Sequence, residues 1–587
     1  MDYMKCSATK SFNPLGCDKR GTHACSEVCS FYYIGLNTAH FIKIDLHSVV
    51  WSDTARKIAR LLTGLYTKRI VGILSTALIG VPAGFLKTGL QHSLERKIVS
   101  RTSAHLVHNE GVVESIDKDF NLCFAASGDI RNMVMTLSRH HTKHPHFTCS
   151  SAQWHSSSEL AAEAAVHIMY SALLRPSDSL QLDHCIDAVY GDILPLLQSS
   201  SIHSWIMSNP MWKKSLEVRG SGTLSFAQST ADLVFKEPLD MLRAAHSVGY
   251  AKKNMHDIVL SPERIDYRDR YLSGLEPSHR LSFLRFRESG VLLPFSGLDL
   301  KMFDDVNRLL FSPTGQWLTM DAANPLFSWN VSEVLKTGQA HGLDRADIYG
   351  CLFFHVKAQF IEFARRFERF HIDVHVSQLD ASVASDELQK GRLYPSFGTG
   401  IKFDRVETSN VADYIGTPRV LKDWSPLLNR ENMHAVILVY LMNWVQKQPG
   451  ASTIFSLGEM KGSNVPMAFQ KIASILGIDL PTLLKDRTRH SASFYNIIGN
   501  IDTFIDNDDR LQEFLVSDGT KRALEWYDLR LRTKNLIHPR RFGISLGDRP
   551  DALPSMTKTE FYNTYMAGGS NAGDRFLEFG HREGRDI

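Results

Sequence analysis

An excess of charge of either sign is what this chain most lacks: 66 Lys and Arg stand against 63 Asp and Glu, a formal net charge of +3 at pH 7 over 587 residues. So small an imbalance, with no basic stripe interleaved with aromatics, excludes a nucleic-acid footprint. Cysteine is sparse as well. Cys6, Cys17, Cys25, Cys29, Cys123, Cys149, Cys185 and Cys351 are too few and too unevenly placed for a disulfide framework in so long a chain. The first residues also lack a charged stretch followed by an apolar one, so the expected setting is reducing and cytoplasmic. Repeats and low-complexity tracts are missing, which excludes solenoid and fibrous classes. No G-x-G-x-x-G or G-x-S-x-G occurs, which excludes the dinucleotide fingerprint and the hydrolase nucleophile elbow. Long apolar runs are limited to Ile70–Leu86, seventeen uncharged residues that contain Gly72, Gly80, Pro82 and Gly84. A membrane span needs about 20 apolar residues, so a core or interfacial helix broken near Pro82 is expected there instead.

What the chain does have is apolar content, 43% of its residues, enough for a large globular core. Its most informative stretch is Asn121-Leu-Cys-Phe-Ala-Ala-Ser-Gly-Asp-Ile-Arg-Asn132. Leu122–Ala126 reads as a buried strand, Ser127-Gly128 as a tight turn, and Asp129 as the cap of a helix whose apolar residues Ile130, Met133, Val134 and Leu137 share one face. A strand, a glycine turn and a capped helix form the ligand end of a doubly wound sheet. A short strand follows at Phe147–Cys149. A second helix is expected to start on a capping box at Ser156–Glu159 and to end at Arg175-Pro176.

Residues 181–345 read as a large, mainly helical and polar insertion. Cys351–Phe370 places Leu352, Val356, Phe360, Phe363 and Phe367 on one helical face, and His371–Val376 alternates as a half-buried strand. A second α/β unit spans 401–444: a strand ending in the polar residues Glu407, Thr408, Ser409 and Asn410, a helix over Leu421–Leu428, and a buried strand or helix over His434–Leu441. Polar residues at a strand's carboxyl end are where such sheets meet ligands.

These two units resemble an uncharacterised fungal domain family that often follows a MYND-type zinc finger and is shared with an axonemal dynein assembly factor. The resemblance rests on Asn121–Asn132 and on Phe403-Asp-Arg-Val-Glu-Thr-Ser-Asn410. Ala165-Val-His-Ile-Met-Tyr-Ser-Ala-Leu173, Ala346-Asp-Ile-Tyr-Gly350 and His538-Pro-Arg-Arg-Phe-Gly543 extend it over roughly 112–545. The family is itself similar in fold to class I S-adenosylmethionine-dependent methyltransferases. The resemblance therefore implies a Rossmann-like α/β sheet in which Ser127, Gly128, Asp129 and Asn132 lie under the cofactor while Glu407 and Asn410 face the methyl-transfer site.

The chain departs from that enzyme pattern where a carboxylate usually holds the ribose hydroxyls. Cys149-Ser-Ser-Ala-Gln153 supplies no acid before Glu159, and losing a charge-assisted contact of that kind costs about 1.5–3 kcal/mol. The zinc finger that the resemblance implies is degenerate: Cys17, Cys25 and Cys29, with His23 or His40, fall short of the eight ligands of a two-ion finger, so zinc is not expected. The cluster His140-His-Thr-Lys-His-Pro-His146 reads as a solvated loop tip. Asp304-Asp305 and Asp506–Asp509 read as solvated faces instead of metal sites.

The expected organisation is a finger remnant at 1–50, a helical and apolar linker at 51–111, a methyltransferase-like domain at 112–445 with the insertion at about 181–345, and a helical C-terminal region at 446–587. The expected function is that of a non-catalytic scaffold or assembly factor acting through protein partners. The alternative is an S-adenosylmethionine-dependent methyltransferase.

Overall fold

A computed structural model describes the backbone of residues 4–6, 11–13, 16–17 and 38–45. It further describes residues 120–582 apart from 127–132, 135–151, 194, 196–201, 218–221, 231–244, 263–264, 296–299, 320–323, 328, 370, 395–396, 454–463, 480, 482–499 and 569–572. The fold is mixed α/β, organised on a nine-stranded sheet. Its strands in chain order are β1 (Thr38–Asp45), β2 (Phe120–Phe124), β3 (Met211–Glu217), β4 (Thr223–Ser229), β5 (His371–Gln378), β6 (Arg405–Glu407), β7 (Val436–Leu441), β8 (Leu529–Leu531) and β9 (Arg575–His581). Across the sheet they lie in the order β8-β9-β7-β6-β2-β1-β5-β4-β3.

Strands β2, β6 and β7 are parallel neighbours, and β4 is parallel to β5. Between these two parallel groups, β1 runs antiparallel to both β2 and β5. At the far edge β9 is antiparallel to β7 and to β8.

Hydrophobic patterning explains the centre of this sheet. Every residue of β7 is buried, as expected of a strand covered on both faces. Its alternate residues feed two cores. Val436 and Leu438 join Leu122, Phe124, Ile372 and Val374 on one face, while Ile437, Val439 and Leu441 join Val406, Leu577 and Phe579 on the other. The first face is covered by helix Ile348–Arg369, whose Leu352, Val356, Phe360, Phe363 and Phe367 are all buried. Helix Val331–Ala340 packs close against it because Gly338 leaves room for Cys351: a Cβ on that glycine would lie 2.1 Å from the sulfur. Asn330 caps the same helix by accepting from the amides of Ser332 and Glu333.

Several expectations change. Thr38–Asp45, read as part of an accessory N-terminal region, is a strand of the sheet. The insertion is not wholly helical, because β3 and β4 form an antiparallel pair at the sheet edge. The sheet also continues past 445, since the C-terminal region supplies β8 and β9. Ser156–Glu159 is no cap: the helix begins earlier and spans Ala152–Tyr170. Pro176 opens the next helix, Pro176–Tyr190, where its missing N–H leaves no hydrogen bond unmade. The strands Phe147–Cys149, the histidine cluster 140–146, the apolar run 70–86 and Cys25 and Cys29 lie outside the described residues. Among the described residues no helix is long and apolar enough to cross a membrane, and no group of His, Cys, Asp and Glu has a metal-holding arrangement.

Candidate functional site

The candidate site is the edge where the parallel strands β2, β6 and β7 end. Ser127, Gly128, Asp129 and Asn132, expected to form its loop, lie outside the described residues. The strand that delivers the chain to them is placed as expected, and Met133 and Val134 beyond them are helical and buried. Glu407 and Asn410 are brought to the same edge: Glu407 pairs in register with Phe124 on one side and Leu438 on the other. Its carbonyl accepts from Ala125 N at 2.8 Å, which continues the ladder past the end of β2.

Apolar neighbours on both sides and near-complete burial set the chemistry of Glu407. Desolvation disfavours the carboxylate and pushes the carboxyl up to about 7. At neutral pH it is therefore both donor and acceptor, exchanging a proton near the working range. Cys123, fully buried on β2, is pushed well above the ordinary thiol range, first by burial and then by the charge of Glu407. It is held as the thiol and offers no nucleophile.

Beyond Glu407 the chain turns sharply. Thr408 donates both its amide and its hydroxyl to Leu438 O, each at 3.0 Å. Ser409 adopts φ 47°, a left-handed conformation that a non-glycine residue takes only where the surroundings enforce it. The enforcing bond is visible: Ser409 O accepts from Tyr440 N at 3.0 Å. Asn410 is buried, and its Oδ1 accepts from Ser409 Oγ at 3.5 Å.

Sequence reasoning missed Asp413. Its two oxygens accept from the amides of Met442 (3.0 Å) and Asn443 (3.1 Å), bracing the exit of β7 against the short helix Ala412–Ile415. Burial raises its carboxyl to about 7, opposed by those two amides and by Lys447, and assisted by Asp574. Asp574 also raises the Tyr440 hydroxyl, after burial, which has the largest effect there. Asp413 and Asp574, from separate stretches, thus gather beside Tyr440 at this end of the sheet. In the sequence, Asp413 is indistinguishable from an ordinary acid in a first helical turn.

The remaining family-like segments sit elsewhere. In Ala165–Leu173, His167 is fully buried and its Nδ1 lies 2.9 Å from Asp178 Oδ2. In His538–Gly543, the His538 ring stacks on Phe576 at 3.6 Å. Arg540 pairs with Asp508, and the Arg541 guanidinium donates to the carbonyls of Asp502, Thr503 and Ile505. Asp506 and Asp509 are exposed. No known protein family, curated protein or solved structure matches the chain.

Proposed function

We propose that this chain is a non-catalytic scaffold or assembly factor of the cytoplasm, built on a methyltransferase-like Rossmann sheet and acting through protein partners. The observation that carries this reading is the engagement of the polar groups at the sheet's carboxyl edge in bracing the fold. Both oxygens of Asp413 hold main-chain amides, and the hydroxyl of Thr408 is taken by Leu438 O. Groups held in this way stabilise loops and are poorly placed to exchange bonds with a substrate. A surface suited to partners lies elsewhere: Trp526 is 80% exposed at the end of helix Thr520–Trp526, and Arg430 reaches the neighbouring residues through Tyr527 O at 3.1 Å. Trp and Arg are the side chains that contribute most to protein interfaces.

An S-adenosylmethionine-dependent methyltransferase is the second reading. It is favoured by the left-handed Ser409 beside Glu407, because strain of this kind gathers at ligand sites and parallel sheets bind ligands at this edge. Calorimetric titration of the full chain with S-adenosylmethionine separates the two. The scaffold reading expects no saturable heat at millimolar cofactor. Submicromolar binding, abolished in Asn410→Ala and accompanied by methyl transfer that needs Glu407, would replace it with the enzyme.

A further inference from the structure

The nine-stranded sheet ends in two unlike edge strands: β8 has three residues and β3 has seven. Strand β3 pairs with β4 along its whole length and with no other described strand. Which of its main-chain groups face outward follows from the register. Thr230 N donates to Pro210 O at 3.2 Å, so position 210 stands opposite 230 in a hydrogen-bonded pair. By alternation Trp212, Lys214 and Leu216 also spend their main-chain groups on β4, opposite Gln228, Phe226 and Leu224. The amides and carbonyls of Lys213, Ser215 and Glu217 therefore point away from β4. The partner strand agrees: Thr223, opposite Glu217, turns its N–H to the far side of β4 and onto Asp373 Oδ1 at 2.8 Å. Among the described residues nothing pairs with the outward groups of β3, which leaves a row of donors and acceptors ready for another strand.

The side chains specify which strand. Trp212 is buried in the core and Leu216 packs against it, while Lys213, Ser215 and Glu217 are exposed together on the opposite face. Lys213 Nζ donates only to Arg392 O, at 3.0 Å, and among the described residues neither Lys213 nor Glu217 has an ion-pair partner. Read backwards, Lys213-x-Ser215-x-Glu217 is its own complement. About a two-fold axis at Ser215, an antiparallel copy sets Lys213 against Glu217 twice, joins the two Ser215 residues by reciprocal main-chain bonds, and matches outward groups with outward groups at all three positions. An axis at Lys213 or Lys214 would instead oppose two lysines, and one at Leu216 would leave Glu217 facing Ser215. We propose that β3 is a homodimer interface, in which a second copy of this chain adds its β3 antiparallel in the register that pairs Lys213 with Glu217. The sheet then continues across the two-fold. So short a seam, held by main-chain bonds and two exposed ion pairs, makes a weak dimer that salt weakens further.

The test is sedimentation equilibrium of the full chain over about 1–100 µM, where a monomer–dimer equilibrium is expected. Glu217→Lys opposes lysine to lysine in both pairs and should weaken the dimer about tenfold or more. Adding Lys213→Glu to that variant recreates both pairs with their charges exchanged and should restore the wild-type affinity. Ser215→Pro removes an outward N–H and leaves the ladder to β4 its bonds, so it should abolish the dimer. The assignment is overturned if the chain stays monomeric throughout, or if Glu217→Lys leaves the dimer unchanged, which would place the interface elsewhere. It is equally overturned if the double exchange fails to restore what Glu217→Lys lost. Should Ser215→Pro fail to fold, the charge exchange alone decides.

Discussion

Two glutamates lie in one row across the sheet with a single residue between them: Glu407 on β6 is in register with Leu438, and Leu438 with Glu578 on β9. Both are buried. Glu578 accepts from Arg532 Nη1 (3.0 Å) and from the amides of Leu536 (3.0 Å), Ile537 (2.8 Å) and His538 (3.0 Å), so the fold replaces nearly all the water its carboxylate gave up. Glu407 stands between Phe124 and Leu438, and burial moves its carboxyl up to about 7. In the same sheet one buried glutamate holds a guanidinium and three amides, while two strands away burial raises the carboxyl of another.

The largest effect expected from breaking this contrast is at Glu578. Glu578→Ala leaves three amides and a buried guanidinium without their acceptor. It should lower unfolding free energy in urea by about 3–5 kcal/mol, the range for removing one partner of a buried ion pair. If the loss is under about 1 kcal/mol, the 536–538 turn is not held as described.

Glu407 should respond with the opposite sign. Its folded carboxyl titrates near 7, above the unfolded value, so the native state binds more protons than the unfolded chain between about pH 4.5 and 7. Stability contributed by the neutral acid is present below that window and is lost as pH rises through it. Glu407→Gln should flatten this decline, and at pH 8 it should be more stable than wild type by up to about 3 kcal/mol. Denaturation midpoints measured from pH 4 to pH 9 check the prediction, and a mutant no more stable than wild type at pH 8 would refute it.

Asp413 stands between the two, with two amide donors and a carboxyl still raised to about 7. Asp413→Ala should cost about 1–3 kcal/mol at pH 6 through the amides it strands, measurable by thermal melting. Smallest of all should be Trp526→Ala. An 80% exposed side chain contributes within about 0.5 kcal/mol to stability. A larger loss would show that Trp526 serves the fold and would remove the surface from the partner reading.

The carboxyl edge was legible where the chemistry is local. Leu122 to Phe124 is an apolar run that lies in the sheet as its pattern indicates, and the apolar run of β7, which fits strand or helix alike, is a strand. Glu407 and Asn410 were expected at this edge because polar residues follow directly on such a strand. Asp413, Asp574 and Tyr440 were not, because what makes them notable is mutual proximity and lost water, and neither leaves a periodic trace. Ser156–Glu159 misled for a related reason: a capping box fits a helix start, but in this chain the helix begins upstream and the same residues lie inside it.

The sequence by itself determined the α/β class, the buried strand near 122, a buried apolar element near 436 and the helix whose phenylalanines recur along one face, since each depends on the alternation of side chains along a few turns of chain. Only the tertiary structure decided that Thr38–Asp45 separates two parallel groups of strands, that the C-terminal region closes the sheet with β8 and β9, and that Glu578 meets Arg532 across 46 residues. Those outcomes depend on which distant strands pair and on which groups lose water together, and both are properties of the assembled fold, not of any segment.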